Sequence, residues 1–528
     1  MSSVADTPRH TLRDRAAAAR AAAQARSGSV VWIAAGVVAL TLVSLFLRTR
    51  ALDAAFWIDE GLSVGIASYG LTDIPGILER DGSPPLYYAL LHVWMQVFGT
   101  TETATHALSV VFAVLCVPAA FWAGRSLWGR HAGWAAAGLA AINPFLTYYS
   151  QETRMYSLAA LLGLLVVASF LHVFVARDRR YLPLFAVSLA VMVYTHNWAL
   201  FLGSATVVAL AWLWRTEDPQ ERRPLVRDAL IGYGAVAVAY LPWVPTLLFQ
   251  ARHTGAPWAE RPELDALLSA LGIVLGGPTT AIALLLVAGN GVANVFRDAS
   301  PKARRTSALL ILTVTAIAFA WLASQVSPAF SNRYFASFLG PMLLVVAVGL
   351  SHAGRLGLVC FVLITLYWFD ARTGPLETKS NVRSVASSIQ TFVTTGDLVL
   401  STHPEQLPLL AYYLPDGVRY GTSLGPVSDP RVMDWRDALD RLRAAKPGPT
   451  ASAAVDTLEE GQELVLVQPI LRTAQWGAPW TSLVRKRSVQ WERRLDADPR
   501  VRREAVVPVF GYDRLPRGVR AIVYRRVR

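Results

Sequence analysis

The sequence predicts a polytopic α-helical membrane protein with a soluble α/β domain at its C-terminal end, and three observations carry that expectation. Of its 528 residues 53% are hydrophobic and only 16% charged, and the apolar residues fall in runs rather than at helical spacing, which is the composition of a chain that buries itself in lipid. The basic residues, in surplus for a net charge of +13, gather in alternate connections between those runs, as the positive-inside rule requires. After Phe369 the runs stop and charge density becomes that of an ordinary soluble domain. In a soluble protein such a surplus would raise nucleic acid as a partner; here it orients helices, and membrane lipids are the expected surroundings.

Residues 1–28 form an Ala-rich cytoplasmic tail with five arginines, Arg9, Arg13, Arg15, Arg20 and Arg26, suited to an anionic inner surface. Val30 to Leu47 is long enough to span a bilayer. It exceeds a secretory apolar segment and no small-x-small cleavage site follows, so it reads as an uncleaved first span. The external loop 48–103 comes next and holds Phe56-Trp57-Ile58-Asp59-Glu60, two adjacent carboxylates behind an aromatic pair. Two short amphipathic helices, Leu62 to Ala67 and Ile74 to Leu78, are expected to lie in the interface plane. In Asp81-Gly82-Ser83-Pro84-Pro85-Leu86-Tyr87-Tyr88 the Pro pair opens another helix, with tyrosines at headgroup level.

Charge decides whether Leu86 to Phe98 spans. If it did, Arg125 and Arg130 would land outside; lying along the interface, it leaves them inside. Spans at about 104–123, 132–148, 157–176, 181–195, 197–214, 229–249, 279–296, 307–325, 334–351 and 355–369 then follow the first, eleven in all. Arginines at 177, 179, 180, 215, 222, 223, 227, 297, 304, 305 and 355, with Lys302, fall on the cytoplasmic side, and Arg154, Arg252, Arg261 and Arg333 are the exceptions. The transmembrane domain is thus expected over 29–372 and the external α/β domain over 375–528. The latter shows β-rich runs at Leu398 to Leu400, Glu463 to Val467 and Ala521 to Tyr524, an amphipathic helix at Val382 to Val393, and a loop at Lys446-Pro447-Gly448-Pro449. Cys116 and Cys360, inside apolar runs, are packing residues.

On this topology one face collects the polar residues: Asp59 and Glu60, Asp81, the stretch from Tyr148 to Tyr156, Tyr194 to Trp198, Arg252 and His253, and Asn332 to Tyr334. Charges at a bilayer edge are costly unless paired or lining a polar cavity. A carboxylate at the edge of a low-dielectric phase is a natural general base, the role expected of Asp59 with Glu60 in support. Arg333, at the outer end of a span and against the charge rule, suits a lipid phosphate. Structural roles fit some of the same residues: Tyr148, Tyr149, Tyr156 and Trp198 as aromatic-belt anchors, His196 as a hydrogen-bonding residue, Glu152 and Arg154 as a mutual pair. The sequence has no CxxC or HExxH metal signature, no glycine-rich phosphate loop and no GxSxG elbow.

The order Trp57-Ile58-Asp59-Glu60, Ser83-Pro84-Pro85-Leu86-Tyr87-Tyr88, Tyr149-Ser150-Gln151-Glu152-Thr153-Arg154-Met155-Tyr156, Tyr194-Thr195-His196 and Asn332-Arg333-Tyr334-Phe335 resembles the membrane glycosyltransferases of the GT-C superfold. More narrowly it is similar to the bacterial branch related to dolichyl-phosphate-mannose protein mannosyltransferases and lipid A aminoarabinose transferases, over roughly residues 30–370. The resemblance implies a plasma-membrane enzyme using a polyprenyl-phosphate sugar donor, mannose or a similar monosaccharide, and an acceptor hydroxyl on a glycan, lipid or protein. Transfer would invert the anomeric carbon, with no nucleotide and no required cofactor.

By the family pattern Asp59 is the catalytic base of the first external loop and Glu152 the acidic residue of the second. Phosphate and lipid contacts fall to Arg333, Arg154, Arg252, Tyr334 and His196, and substrate contacts to Asp81, Tyr87, Tyr149 and Gln151. Two positions depart from the pattern: Ser83, where many relatives have His or Lys, and His106, where they have Arg. The phosphate contact made from the first position in some relatives then passes to one of the three arginines. Rival readings are a transporter or flippase, which calls for midplane ionisable residues and matching halves, and a sensor whose tail domain does the work. Within enzymes the rival is an oligosaccharyltransferase-like protein with a lipid diphosphate donor and a divalent cation, for which no ligand spacing is compelling.

Overall fold

The computed structural model describes residues 12–297, 301–369, 376, 379–470, 477–507 and 518–527. The first part of the expected basic tail, Arg9 included, and the expected domain junction at 372–375 lie outside the described residues. From Leu12 the chain is already helical and runs unbroken through the first span to Arg48.

Among the described residues eight helices are long and apolar enough to cross a membrane: Val30–Arg48, Glu102–Trp128, Tyr156–Val175, Ala199–Thr216, Pro219–His253, Pro278–Arg297, Pro301–Val326 and Asn332–His352. The other three expected spans meet shorter helices, Arg130–Ile142, Leu182–Val193 and Gly354–Phe369. The first of these stops because Pro144 has no N–H to continue the ladder; Asn143 instead caps a second short helix, Pro144–Tyr149, by accepting from the Leu146 N–H at 2.9 Å. Prolines 242 and 245 act similarly in Pro219–His253, where a 3₁₀ turn at Leu241–Trp243 separates two helical pieces. Leu86–Phe98 has 13 residues, about 20 Å, less than a bilayer core requires. Helices Pro278–Arg297 and Ala336–His352 cross at Gly291 and Gly349, where an added β-carbon would meet the opposite backbone. Small residues permit such close approach in lipid.

The C-terminal unit carries a six-stranded sheet built from β1 (Leu398–Ser401), β2 (Arg419–Thr422), β3 (Gly425–Val427), β4 (Glu463–Pro469), β5 (Val501–Val506) and β6 (Val519–Arg526) in the order β3-β2-β1-β4-β6-β5. β1 lies parallel to β2 and β4, with Leu398 opposite both Arg419 and Leu464, and the remaining pairs are antiparallel. The two-residue period splits β1 and β4 between two cores. Leu398, Leu400, Leu464 and Leu466 pack with Trp491 and Leu495 of helix Pro479–Asp496. Val399, Val465 and Val467 face the other way, into a core continuous with loop 48–103 and the membrane helices. Burial on both faces is why these strands read as uninterrupted apolar runs.

Three local expectations are corrected. Lys446–Pro449 is not a loop: Pro447 opens helix Pro447–Asp456, in the first turn, where a missing N–H costs nothing. The helix expected over Val382 to Val393 ends at Ile389, with Val382, Val385, Ala386 and Ile389 as its buried stripe. The helix expected at Leu62 to Ala67 begins earlier, at Ile58, and is not an interfacial helix, because everything from Glu60 to Ala67 is buried in protein. The tail domain lies on it so closely that Gly61 meets the Leu409 backbone and Gly65 the Arg431 carbonyl.

Candidate active site

Asp59 and Glu60 occupy the first turn of helix Ile58–Ala67. Neighbours in a helix project about 100° apart, so two adjacent carboxylates cannot share an environment. Glu60 turns inward and is fully buried. It accepts from Lys379 Nζ at 2.7 Å, His106 Nε2 at 2.5 Å, the Thr153 N–H at 2.8 Å and the Trp57 N–H at 3.1 Å. Burial pushes this carboxyl up, but Lys379 and then His106 outweigh it and hold the group at about 2. His106 Nδ1 meets the Leu52 carbonyl at 2.7 Å, so both ring nitrogens face oxygen atoms. Glu60 thus ties loop 48–103, the turn at Thr153 and the start of the tail domain together.

Asp59 turns outward into a cavity of about 420 Å³. Its carboxylate pairs with Arg333 Nη2 at 3.4 Å. Arg333 lies among three rings, 5.3 Å from the Trp57 and Trp258 centroids and 5.5 Å from Tyr334, which desolvates the guanidinium while stabilising its charge. Arg154 reaches the same cavity, its Nη1 donating to Ser63 Oγ at 3.0 Å, the Asp59 carbonyl at 3.3 Å and Tyr88 OH at 3.4 Å. Nε of Arg333 and Nε of Arg154 are buried without a hydrogen-bond partner among the described residues. Asp81 lines the cavity as well; burial first, and the Asp59 charge in addition, push its carboxyl up, despite Arg154 and a hydrogen bond from Ser83. Nδ1 of His196 accepts from the Trp198 N–H at 3.1 Å. Burial, then Arg154 and Arg333, lower this imidazole to about 3, so the ring is neutral at physiological pH and, with Nδ1 accepting, carries its proton on Nε2.

The cavity is amphipathic. Asp59, Asp81, Arg154, His196 and Arg333 gather with Gln250, and Leu200, Phe201, Leu247, Ala323 and Ala329 supply an apolar side. Of the residues singled out in the sequence it brings together Asp59, Asp81, Arg154, His196, Arg333 and Tyr334. It does not include Glu60, Glu152, Arg252, Tyr87, Tyr149 or Gln151. Tyr87 is buried with its OH 3.4 Å from Ser109 Oγ. Tyr149 packs on Phe145, Tyr148 and Tyr156. Gln151 holds the Ala51 N–H at 2.7 Å, Glu152 is buried, and Arg252 is exposed.

Two wall residues that sequence reasoning passed over, Glu405 and Trp435, come from the tail domain. A signal existed for the first: Thr402-His403-Pro404-Glu405 follows the carboxyl end of a parallel strand, where sites in α/β sheets gather. Among the described residues no group of three or more His, Cys, Asp and Glu is placed to hold a metal ion.

The family described as dolichyl-phosphate-mannose-protein mannosyltransferase matches residues 82–249, under half of the chain but including Asp81's neighbours, Arg154 and His196. The fold is similar to that of ArnT from Cupriavidus metallidurans in the apo state, with a TM-score of 0.63 at 14% identity, covering 95% of this chain and 98% of that one. For the same protein bound to undecaprenyl phosphate the TM-score is 0.60 at 13% identity, over 94% and 98%. The archaeal oligosaccharyltransferase AglB from Archaeoglobus fulgidus, in complex with an inhibitory peptide and a dolichol-phosphate, matches with a TM-score of 0.54 at 12% identity, over 82% and 69%. No curated protein sequence matches significantly. The chain is therefore a multi-pass membrane protein with the GT-C glycosyltransferase fold.

Proposed function

We propose that the protein transfers a single sugar from a polyprenyl-phosphate donor to an acceptor hydroxyl, with inversion, at the external face of a bacterial plasma membrane. The observation that carries this reading is the pair of guanidiniums, Arg333 and Arg154, in the wall of a cavity that is also lined by apolar side chains. A phosphate esterified to a long prenol has that same division, an anion joined to a hydrocarbon. The undecaprenyl phosphate and dolichol-phosphate in similarly folded proteins support it.

In this mechanism the acceptor oxygen attacks the anomeric carbon, the bond from that carbon to the phosphate oxygen breaks, and polyprenyl phosphate leaves with the electron pair. Arg333, with Arg154 beside it, stabilises the charge growing on the leaving phosphate. The acceptor proton passes to Asp59. In the structure Asp59 is paired to Arg333; a phosphate drawing on the guanidinium's donors competes with that pair and leaves the carboxylate more available as a base. His196 Nε2–H is a further, neutral donor to the donor headgroup.

The test is binding and turnover in Arg333→Ala, with a panel of radiolabelled polyprenyl-phosphate sugars offered to membranes containing the protein. Losing a charge-assisted contact to a buried anion costs about 1.5–3 kcal/mol, so undecaprenyl phosphate should bind tenfold to a hundredfold more weakly. Arg333→Lys should recover only part of this, lacking the planar fork. Unaltered affinity in Arg333→Ala would move the phosphate to Arg154, and no labelled product from any donor would remove the reading altogether.

A further inference from the structure

The tail domain reaches the candidate active site at Glu405 and Trp435. Residues Pro404–Gln406 form a 3₁₀ turn after β1 that packs on helix Ile58–Ala67, the helix carrying Asp59. Glu405 lines the cavity and is itself nearly buried. Its orientation is fixed from behind: Trp480 Nε1 donates to Oε1 at 2.9 Å and to Oε2 at 3.1 Å, and His403 Nε2 lies 2.7 Å from Oε1. Two donors occupy part of a carboxylate's acceptor capacity, roughly four lone-pair positions, and leave capacity for a further donor. Beside it stands Trp435, also in the wall, its ring 5.2 Å from that of Trp480. The tail domain is held at this point by direct bonds, Trp435 N–H to the Arg80 carbonyl at 2.8 Å and Trp480 N–H to the Pro257 carbonyl at 3.2 Å.

A fixed carboxylate next to an indole face is complementary to a monosaccharide, whose rim of hydroxyls donates hydrogen bonds and whose C–H faces pack on aromatic rings. We infer that Glu405 and Trp435 form the subsite for the donor's sugar, so that the tail domain selects which polyprenyl-phosphate sugar is used. The inference rests on the lipid-phosphate reading above: with the phosphate at Arg333 and Arg154, the sugar one bond away must lie in the same cavity, between the guanidiniums and the tail domain's wall. Glu405 is then a specificity residue that contacts substrate hydroxyls. It takes no part in the proton transfer assigned to Asp59.

The experiment compares full-length wild type, Glu405→Gln and Trp435→Ala in lipid nanodiscs, measuring affinity for bare undecaprenyl phosphate and for undecaprenyl phosphate carrying mannose, glucose or arabinose. Wild type should prefer at least one glycosylated lipid over the bare one. Glu405→Gln keeps the acceptor shape toward Trp480 but not the charge, and should lose that preference by roughly tenfold to a hundredfold. Trp435→Ala should lose it by a smaller factor, and both variants should bind bare undecaprenyl phosphate as wild type does. Three outcomes overturn the inference: unchanged preference in both variants, equal weakening for bare and glycosylated lipids, which would make Glu405 a docking residue, or no preference in wild type. Failure of wild type to bind any of the four lipids would instead overturn the lipid-phosphate reading on which the inference stands.

Discussion

Replacing Glu60 by Gln tests whether the adjacent carboxylates have separate jobs. Glu60 is a glutamate with 4.5 as its ordinary value, held at about 2 in the folded protein. At about 1.36 kcal/mol for each tenfold change in proton affinity, the ionised carboxylate contributes on the order of 3 kcal/mol. A folded value below the unfolded one means that this contribution is present above pH 4.5 and is lost as pH falls from there toward 2. Glu60→Gln removes the charge but leaves Lys379 and His106 buried, with side chains 1% and 0% exposed. A stranded buried charge costs about 3–5 kcal/mol, so the two routes agree in size. Melting temperature in detergent micelles should fall on the order of 5–10 °C at pH 7, and the gap to wild type should narrow toward pH 3. Glu60→Gln combined with Lys379→Met removes both charges and should recover part of the loss. If Glu60→Gln melts with wild type at pH 7, or the double variant is less stable than Glu60→Gln alone, the buried tie is not what holds loop 48–103 to the tail domain.

Asp59→Asn, by contrast, should fold normally, still bind undecaprenyl phosphate, and lose about 10²–10⁴ in single-turnover transfer with donor saturating; transfer at the wild-type rate would place the base elsewhere. Asp81, whose carboxyl burial pushes up, is stabilised by protonation: a folded value above the unfolded one makes its contribution worsen as pH rises. Asp81→Asn should therefore melt at or above wild type at pH 8 and lose that advantage at pH 4, and a lower melting temperature at pH 8 would contradict the assignment. For topology, reporter fusions after Arg130 should read cytoplasmic and those after Glu152 or Phe369 external, with the N-terminus inside. An external signal after Arg130 would mean that Leu86–Phe98 crosses the membrane.

Membrane architecture was legible because it depends on one-dimensional quantities. A hydrocarbon core accepts only apolar runs of sufficient length, and lysine and arginine cannot cheaply cross it, so composition and charge alternation mark the spans without knowledge of any contact. The strands Leu398–Ser401, Glu463–Pro469 and Val519–Arg526 were legible for a related reason: buried on both faces, they leave continuous apolar runs. Of the four exceptions to the charge rule, Arg154 and Arg333 line the cavity and Arg252 and Arg261 do not.

What only the tertiary structure decided was where each polar side chain goes. Asp59 and Glu60 are equivalent as letters, and the roughly 100° between successive helical residues sends one to Arg333 in the cavity and the other to Lys379, more than three hundred positions later. Helix Ile58–Ala67 has the pattern of an interfacial helix, yet the surface it meets is protein, because the tail domain supplies Leu409 and Arg431 to cover it. The local signal at Glu405, its place after the carboxyl end of a parallel strand, does not tell that the site it serves is shared with membrane helices. Glu405 reaches the cavity because strand β1 aims its carboxyl end there and because the domain is held by long-range pairs such as Tyr413 OH to Glu102 at 2.9 Å. Such pairings depend on packing between segments far apart in the chain, which hydropathy and charge counts, being sums over neighbours in sequence, do not contain.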